Sequence, residues 1–106
     1  MIQRVVAIKL KSPYANHEDR AAAASHTRDV LAGVPGVQHI EVGIPGDDKT
    51  EGSWDLLILL RFDHLAAVEA YRAHPVHRKY VDVFLRPMLE VIKVWNFELL
   101  GSRDDS

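Results

Sequence analysis

Two stretches of this chain, Trp54–Phe62 and Glu90–Leu100, alternate as β-strands do yet are apolar on both faces. In the first, Trp54, Leu56, Ile58, Leu60 and Phe62 share one side, and Leu57 and Leu59 the other. In the second, Val91, Trp95, Phe97 and Leu99 oppose Ile92 and Val94. A strand of this kind needs cover above and below. An antiparallel sheet with one water-facing side shows a polar second face, so that simple arrangement is excluded.

The rest of the chain supplies the other layers. Ile2–Leu10 alternates, with Ile2, Val6, Ile8 and Leu10 on one face, interrupted by Arg4, and Val5 and Ala7 on the other. Ser12-Pro13 breaks it, and Asn16 followed by Asp19 reads as the cap of a helix starting near His17. Ala23, Ala24, Thr27, Val30, Leu31 and Val34 form the inner side of that helix, and Gly33 and Pro35 end it. Val37–Ile44 alternates again, and residues 45–52 read as a polar loop. Asp63 is the expected cap of a short helix ending near Ala73. Pro75 opens a further helix, with Val76, Tyr80, Val83 and Phe84 facing inward.

The order βαββα(α)β predicts an α+β, ferredoxin-like βαββαβ sandwich with a four-stranded antiparallel sheet and helices on one face. The other face would be a large apolar patch on a lone chain. A second copy packed sheet to sheet about a two-fold axis covers it, which predicts a homodimer in the form of a dimeric α/β barrel. Residues 1–100 read as one domain and 101–106 as a disordered tail.

With 106 residues, 47% of them apolar and 26% charged, the chain suits one globular core. A net charge of −2 and no long basic run argue against nucleic acid as a partner. No cysteine is present, so thiolate chemistry is excluded. The apolar runs are too short to cross a bilayer, no membrane partner is expected, and a cytoplasmic location is the default expectation.

Proton-transferring side chains gather at one place, AYRAHPVHRKYVDVFLRPM, residues 70–88. Pro75 pushes His74 out of the helical region, so Tyr71 ends one helix and His77 begins the next. A histidine in a first helical turn is disfavoured as the imidazolium, which suits a general base. Tyr71 can donate a hydrogen bond to a substrate carbonyl and stabilise the developing oxyanion. The bland alternative is that both residues only pack and cap. Arg4, if its face meets the helices, is a cation in apolar surroundings and needs a protein or ligand carboxylate. Otherwise it is a strand-end arginine reaching solvent along its stem. His74 and His77 do not make a metal site: Pro75 breaks their common geometry, and a catalytic zinc usually takes three protein ligands. No cofactor is expected.

Tyr71-x-x-His74-Pro75-x-His77 with Phe84-x-x-Pro87 resembles the C-terminal signature of the stress-responsive dimeric α/β-barrel (Dabb) family. Arg4-Val5-Val6-x-x-Lys9-x-Lys11, Pro35-Gly36-Val37 with Glu41-Val42-Gly43, and Trp54-Asp55 resemble its other landmarks, in the family's order. The resemblance implies a dimeric barrel. The best-understood activity in the family is that of a plant polyketide cyclase, a cofactor-free aldol-type ring closure using a tyrosine and a histidine at the places of Tyr71 and His77. Arg4 and Leu56 stand where that cyclase has histidines, and Ala23, Ala24 and Thr27 replace larger aromatic residues, which implies a pocket of different shape.

A pocket is therefore expected between sheet and helices, with His77 and Tyr71 as catalytic residues. Arg4, Ile8, Leu56, Ile58 and His74 are expected to line it, with Tyr80, Val81, Phe84 and Trp95. Its expected occupant is a small apolar or aromatic carbonyl compound. Two functions follow: cofactor-independent acid–base chemistry of a cyclase or lyase type, or a non-catalytic stress-responsive structural or ligand-binding role. A cofactor-free monooxygenase of the same barrel type fits the fold but has no motif in its favour.

Overall fold

The computed structural model describes residues 1–101. Strand β1 (Ile2–Leu10) leads through a short 3-10 turn to helix α1 (His17–Leu31), then β2 (His39–Gly43), a helical turn α2 (Asp48–Glu51) and β3 (Leu56–Phe62). Helices α3 (Leu65–Ala73) and α4 (Pro75–Lys79) follow. The chain then winds on through Tyr80–Leu85 and Arg86–Met88 into β4 (Leu89–Glu98). The four strands form one antiparallel sheet in the order β2-β3-β1-β4, the ferredoxin-like arrangement expected. Within one chain the sheet is open, not closed into a barrel, with β2 and β4 as its edges.

Register decides which face is buried. Arg4 pairs with Leu60 and with Asn96, Val6 with Ile58 and Val94, Ile8 with Leu56 and Ile92. Paired residues share a face, so these rows form the helix-covered side. There Ile2, Val6, Ile8, Leu10, Leu56, Ile58, Leu60 and Phe62 are buried against Ala23, Leu31, Val34, Val68, Tyr71, Tyr80 and Leu85. The opposite face carries Val5, Ala7, Leu57, Leu59 and Trp95, and among the described residues no helix covers it.

Most local signals act as expected. Asn16 Oδ1 accepts from Asp19 N at 2.9 Å and caps α1. Pro35-Gly36 turns the chain after α1, with Gly36 at φ +93, a conformation that favours glycine. Three expectations need correction. Residues 45–52 are not all loop, because the Asp47 carboxylate caps α2 by accepting from Thr50 N at 2.8 Å. Asp63 is not the cap of α3: His64 Nδ1 accepts from Ala67 N, while Asp63 accepts from Gln38 Nε2. Val76 and Val83 do not face inward but are exposed. Val76 lies in α4 and faces an outer groove; for Val83 the reason is a π-helical turn over Tyr80–Leu85, in which Arg86 N donates to Val81 O. With bonded groups five positions apart, Tyr80 is followed into the core by Leu85, where a 3.6-residue period points to Val83 and Phe84. Of the tail expected over 101–106, residues 102–106 lie outside the described residues.

Two buried polar contacts lock the helical layer to itself and to the sheet. Asp55, at the head of β3, accepts from Leu10 N at 2.6 Å and from Arg20 of α1 at 2.7 and 2.8 Å. Thr27 Oγ1 and the Tyr80 hydroxyl, both buried, lie 2.6 Å apart and join α1 to the π turn. Thr27→Val leaves that hydroxyl unpaired and is expected to cost about 1–3 kcal/mol in denaturant unfolding. Adding Tyr80→Phe removes the orphaned group as well, so the double variant is expected to recover most of the loss.

Candidate functional site

β1 and the corner between α3 and α4 border a half-open cavity of about 180 Å³. The pleat of β1 turns Arg4 toward the helices between Ile2 and Val6, where it is 8% exposed. It is therefore buried beneath the helical layer and does not reach solvent at the strand end. α3 carries Tyr71 in its last turn, 2% exposed, with its ring edge-on to Phe62 at 5.0 Å. The backbone becomes extended at His74 (φ −66, ψ 137), and Pro75 starts α4. That break folds the half-buried His77 back onto Tyr71, with ring centroids 4.5 Å apart.

His77 Nδ1 lies 3.1 Å from the carbonyl oxygen of Arg72. A carbonyl only accepts, so Nδ1 carries hydrogen and the neutral ring keeps its lone pair on Nε2. Burial lowers the pKa of His77 below the ordinary 6.5; the Arg72 carbonyl opposes this, and the charges of Arg4 and Arg72 add to it. Tyr71 has no hydrogen-bond partner among the described residues, where no fully enclosed side-chain nitrogen or oxygen lacks one. Its hydroxyl therefore meets open space at the cavity it lines. Burial pushes its pKa well above 10, which keeps it a donor, while the Arg4 charge pulls the other way. Arg4 Nη1 donates to Asn96 Oδ1 at 3.1 Å.

Of the residues expected at this site, Arg4, Ile8, Ile58, Tyr71, His77, Tyr80 and Val81 line the cavity. Four others do not. Trp95 pairs with Val5 and stands on the opposite face of the sheet, 45% exposed. His74 is spent on capping α4, its Nδ1 accepting from Val76 N at 3.1 Å. Leu56 lines a separate 120 Å³ cavity with Trp54 and Thr50 at the far end of β3. Phe84 is carried by the π turn to an outer groove of about 520 Å³, where it lies 4.2 Å from the exposed His26 ring. That groove also brings a histidine and a tyrosine together, His26 and Tyr80 with ring centroids 6.5 Å apart, but the Tyr80 hydroxyl is taken by Thr27.

Sequence reasoning missed Val6, Leu60, Ile92, Val94 and Asn96 on the sheet and Leu31, Arg72 and Leu85 on the helical side. Val6 and Leu60 were legible, since they share the alternating faces of Arg4 and Ile58. Asn96 was not, because only the register of β4 against β1 brings it to Arg4. Among the described residues no group of three His, Cys, Asp or Glu side chains is placed to hold a metal ion. The site thus combines a neutral base, a hydroxyl donor and a buried cation in one largely apolar space. An apolar cavity of about 150 Å³ takes a benzene ring, so this one has room for a single ring.

Known structures share this architecture. A Dabb family protein with a ferredoxin-like fold from Mesorhizobium loti has 22% sequence identity and a TM-score of 0.78, over 94% of this chain and 97% of that one. A protein from Arabidopsis thaliana matches with 16% identity and a TM-score of 0.78, over 96% and 98% of the two chains. A dimeric protein of ferredoxin-like fold from Bacteroides fragilis matches with 20% identity and a TM-score of 0.75, over 92% and 95%. No curated protein matches the sequence. At these identities the structural likeness establishes the fold. The lineage follows from the sequence itself: residues 2–99 match the stress responsive A/B barrel domain, and the chain belongs to that family, Dabb.

Proposed function

We propose that the protein is a cofactor-independent acid–base enzyme acting on a small carbonyl compound in the cavity between sheet and helices. His77 Nε2 removes the proton next to the carbonyl, and the Tyr71 hydroxyl donates to the oxygen on which negative charge develops. The resulting enolate then closes a ring or expels a leaving group, as in a cyclase or a lyase. The observation that carries this reading is the neutral histidine and the unpaired tyrosine hydroxyl bordering one cavity. Acetophenone in D₂O, followed by proton NMR, tests it. Loss of the methyl signal faster than in buffer supports the reading. Binding without exchange leaves a ligand-holding protein and sinks the enzyme.

We also propose that the protein is a homodimer packed through the outer face of its sheet. Trp95, Phe97 and Leu57 are exposed there around Val5, Ala7 and Leu59, an apolar surface bordered by Lys9, Lys93, Arg61 and Glu41, with Val91 beyond Lys93. Such a patch marks an interaction surface, and a two-fold axis makes it cover itself. Relatives of the same fold from Bacteroides fragilis and Thermobifida fusca are dimeric. Trp95→Lys is expected to weaken the dimer by at least about thirtyfold, the effect of losing one central aromatic anchor. Sedimentation equilibrium reads this directly, and an unchanged dimer would place the contact elsewhere.

A further inference from the structure

We propose that Arg4 forms a carboxylate-binding subsite, so that the molecule held beside Tyr71 and His77 is a small organic monocarboxylate. The inference rests on that cavity being the ligand site and names the class of its occupant. Within this molecule the contrast is with Arg20. Arg20 is 5% exposed and is paired with both Asp55 and Glu51. Arg4 is nearly as buried and has no carboxylate partner among the described residues.

Its one side-chain partner is the amide oxygen of Asn96, which orients a guanidinium without neutralising it. A guanidinium has five N–H donors, and Asn96 takes one. Among the described residues no fully enclosed side-chain nitrogen lacks a partner, so the unbonded Nε and Nη2 of Arg4 are not sealed in, and Arg4 lines the cavity. Nearby acids are engaged elsewhere: Glu69 with Arg72 at 3.3 Å and Asp82 with Arg86 at 3.0 Å, both in exposed pairs. Arg72 also lines the cavity, with its charge offset by Glu69. His77, neutral or protonated, carries no negative charge and cannot supply the missing anion.

An unpaired buried cation is costly and is retained where something else completes it. A ligand carboxylate fits the planar fork of guanidinium donors two bonds at a time. The cavity volume leaves room for about one ring beyond that carboxylate, and Val6, Ile8 and Ile58 supply its apolar walls. For the proposed chemistry the substrate is thus an oxo acid of this size, anchored at Arg4 with its carbonyl toward Tyr71.

Calorimetric titration with benzoate, benzamide and acetophenone tests the subsite without requiring turnover. The parent is expected to bind benzoate at least about tenfold more tightly than benzamide, the difference a charge-assisted bond makes. Arg4→Met is expected to abolish that preference. It is also expected to raise Tm by about 5 °C, because it removes a buried charge without a partner. Arg4→Lys, which keeps the charge but loses the fork, is expected to retain a weaker preference. Equal binding of benzamide and benzoate to the parent, or an undiminished preference in Arg4→Met, would overturn the subsite. Failure here and failure of the acid–base reading are separate. Benzoate preference without proton exchange on acetophenone leaves the anion site standing and removes the enzyme. Exchange without the preference does the reverse.

Discussion

His77→Ala is expected to slow proton exchange on a bound ketone by about a hundredfold to ten-thousandfold, the range of a positioned general base. Tyr71→Phe is expected to lower the same rate by about a hundredfold or more, as removal of one oxyanion donor does. Neither change touches the outer sheet face, so the oligomeric state is expected to stay as in the parent. The pH profile separates chemistry from packing. Burial favours the neutral ring, so the folded pKa of His77 lies below 6.5 and the base form persists at slightly acidic pH. The rate is therefore expected to hold from pH 8 down to about 6.5 and to fall only below that. Linkage has the same sign: the unfolded chain binds the proton first. The stability contributed by neutral His77 is complete above 6.5 and is lost as pH falls through the lower folded value. If His77→Ala flattens the stability profile but leaves exchange untouched, His77 is a packing residue and the enzyme reading ends.

The largest expected loss of stability is at Asp55. Its two oxygens hold the Leu10 backbone N–H and the Arg20 guanidinium, all in the buried layer between α1 and the sheet. Burial works against the Arg20 charge, but the bonds from Asp55 and Glu51 outweigh it and raise the Arg20 pKa. Asp55→Ala strips the strongest of these and strands both a buried cation and a buried N–H. We expect it to destabilise the fold by about 3–5 kcal/mol in urea or guanidinium unfolding. Arg20→Met in the same chain removes the stranded charge, so the double variant is expected to be more stable than Asp55→Ala alone. A loss below about 1 kcal/mol for the single variant would mean that water replaces Asp55 at this corner. Asp55 and Arg4 thus bracket the two fates of buried charge in this domain. One pair is closed within the chain, and one cation is left open toward a cavity.

The sequence made the strands legible because pleating imposes a period of two that no partner can alter. It also placed Arg4 on an otherwise apolar face, and Pro75 at the break between two helices. Tyr71 and His77 could be set on either side of that break from local geometry alone, because proline restricts both itself and His74. The need for cover on both sides of the sheet was likewise written in Leu57, Leu59, Trp95 and Phe97.

Other features were decided only when distant segments met. Whether Trp95 faces the helices or away from them depends on the register of β4 against β1, since a one-residue slip exchanges the two faces. The same register brings Asn96, and no carboxylate, to Arg4. Phe84 was misplaced because the π turn changes the period of the helix where Tyr80 and Leu85 enter the core, and Val83 is left outside for the same reason. His64 displaced Asp63 as a cap because Asp63 was claimed by Gln38 across the β2–β3 edge. Local alternation and backbone restriction are properties of neighbours in sequence. The partner of a buried charge and the face of an aromatic ring are properties of neighbours in space, and in this protein those fix the site.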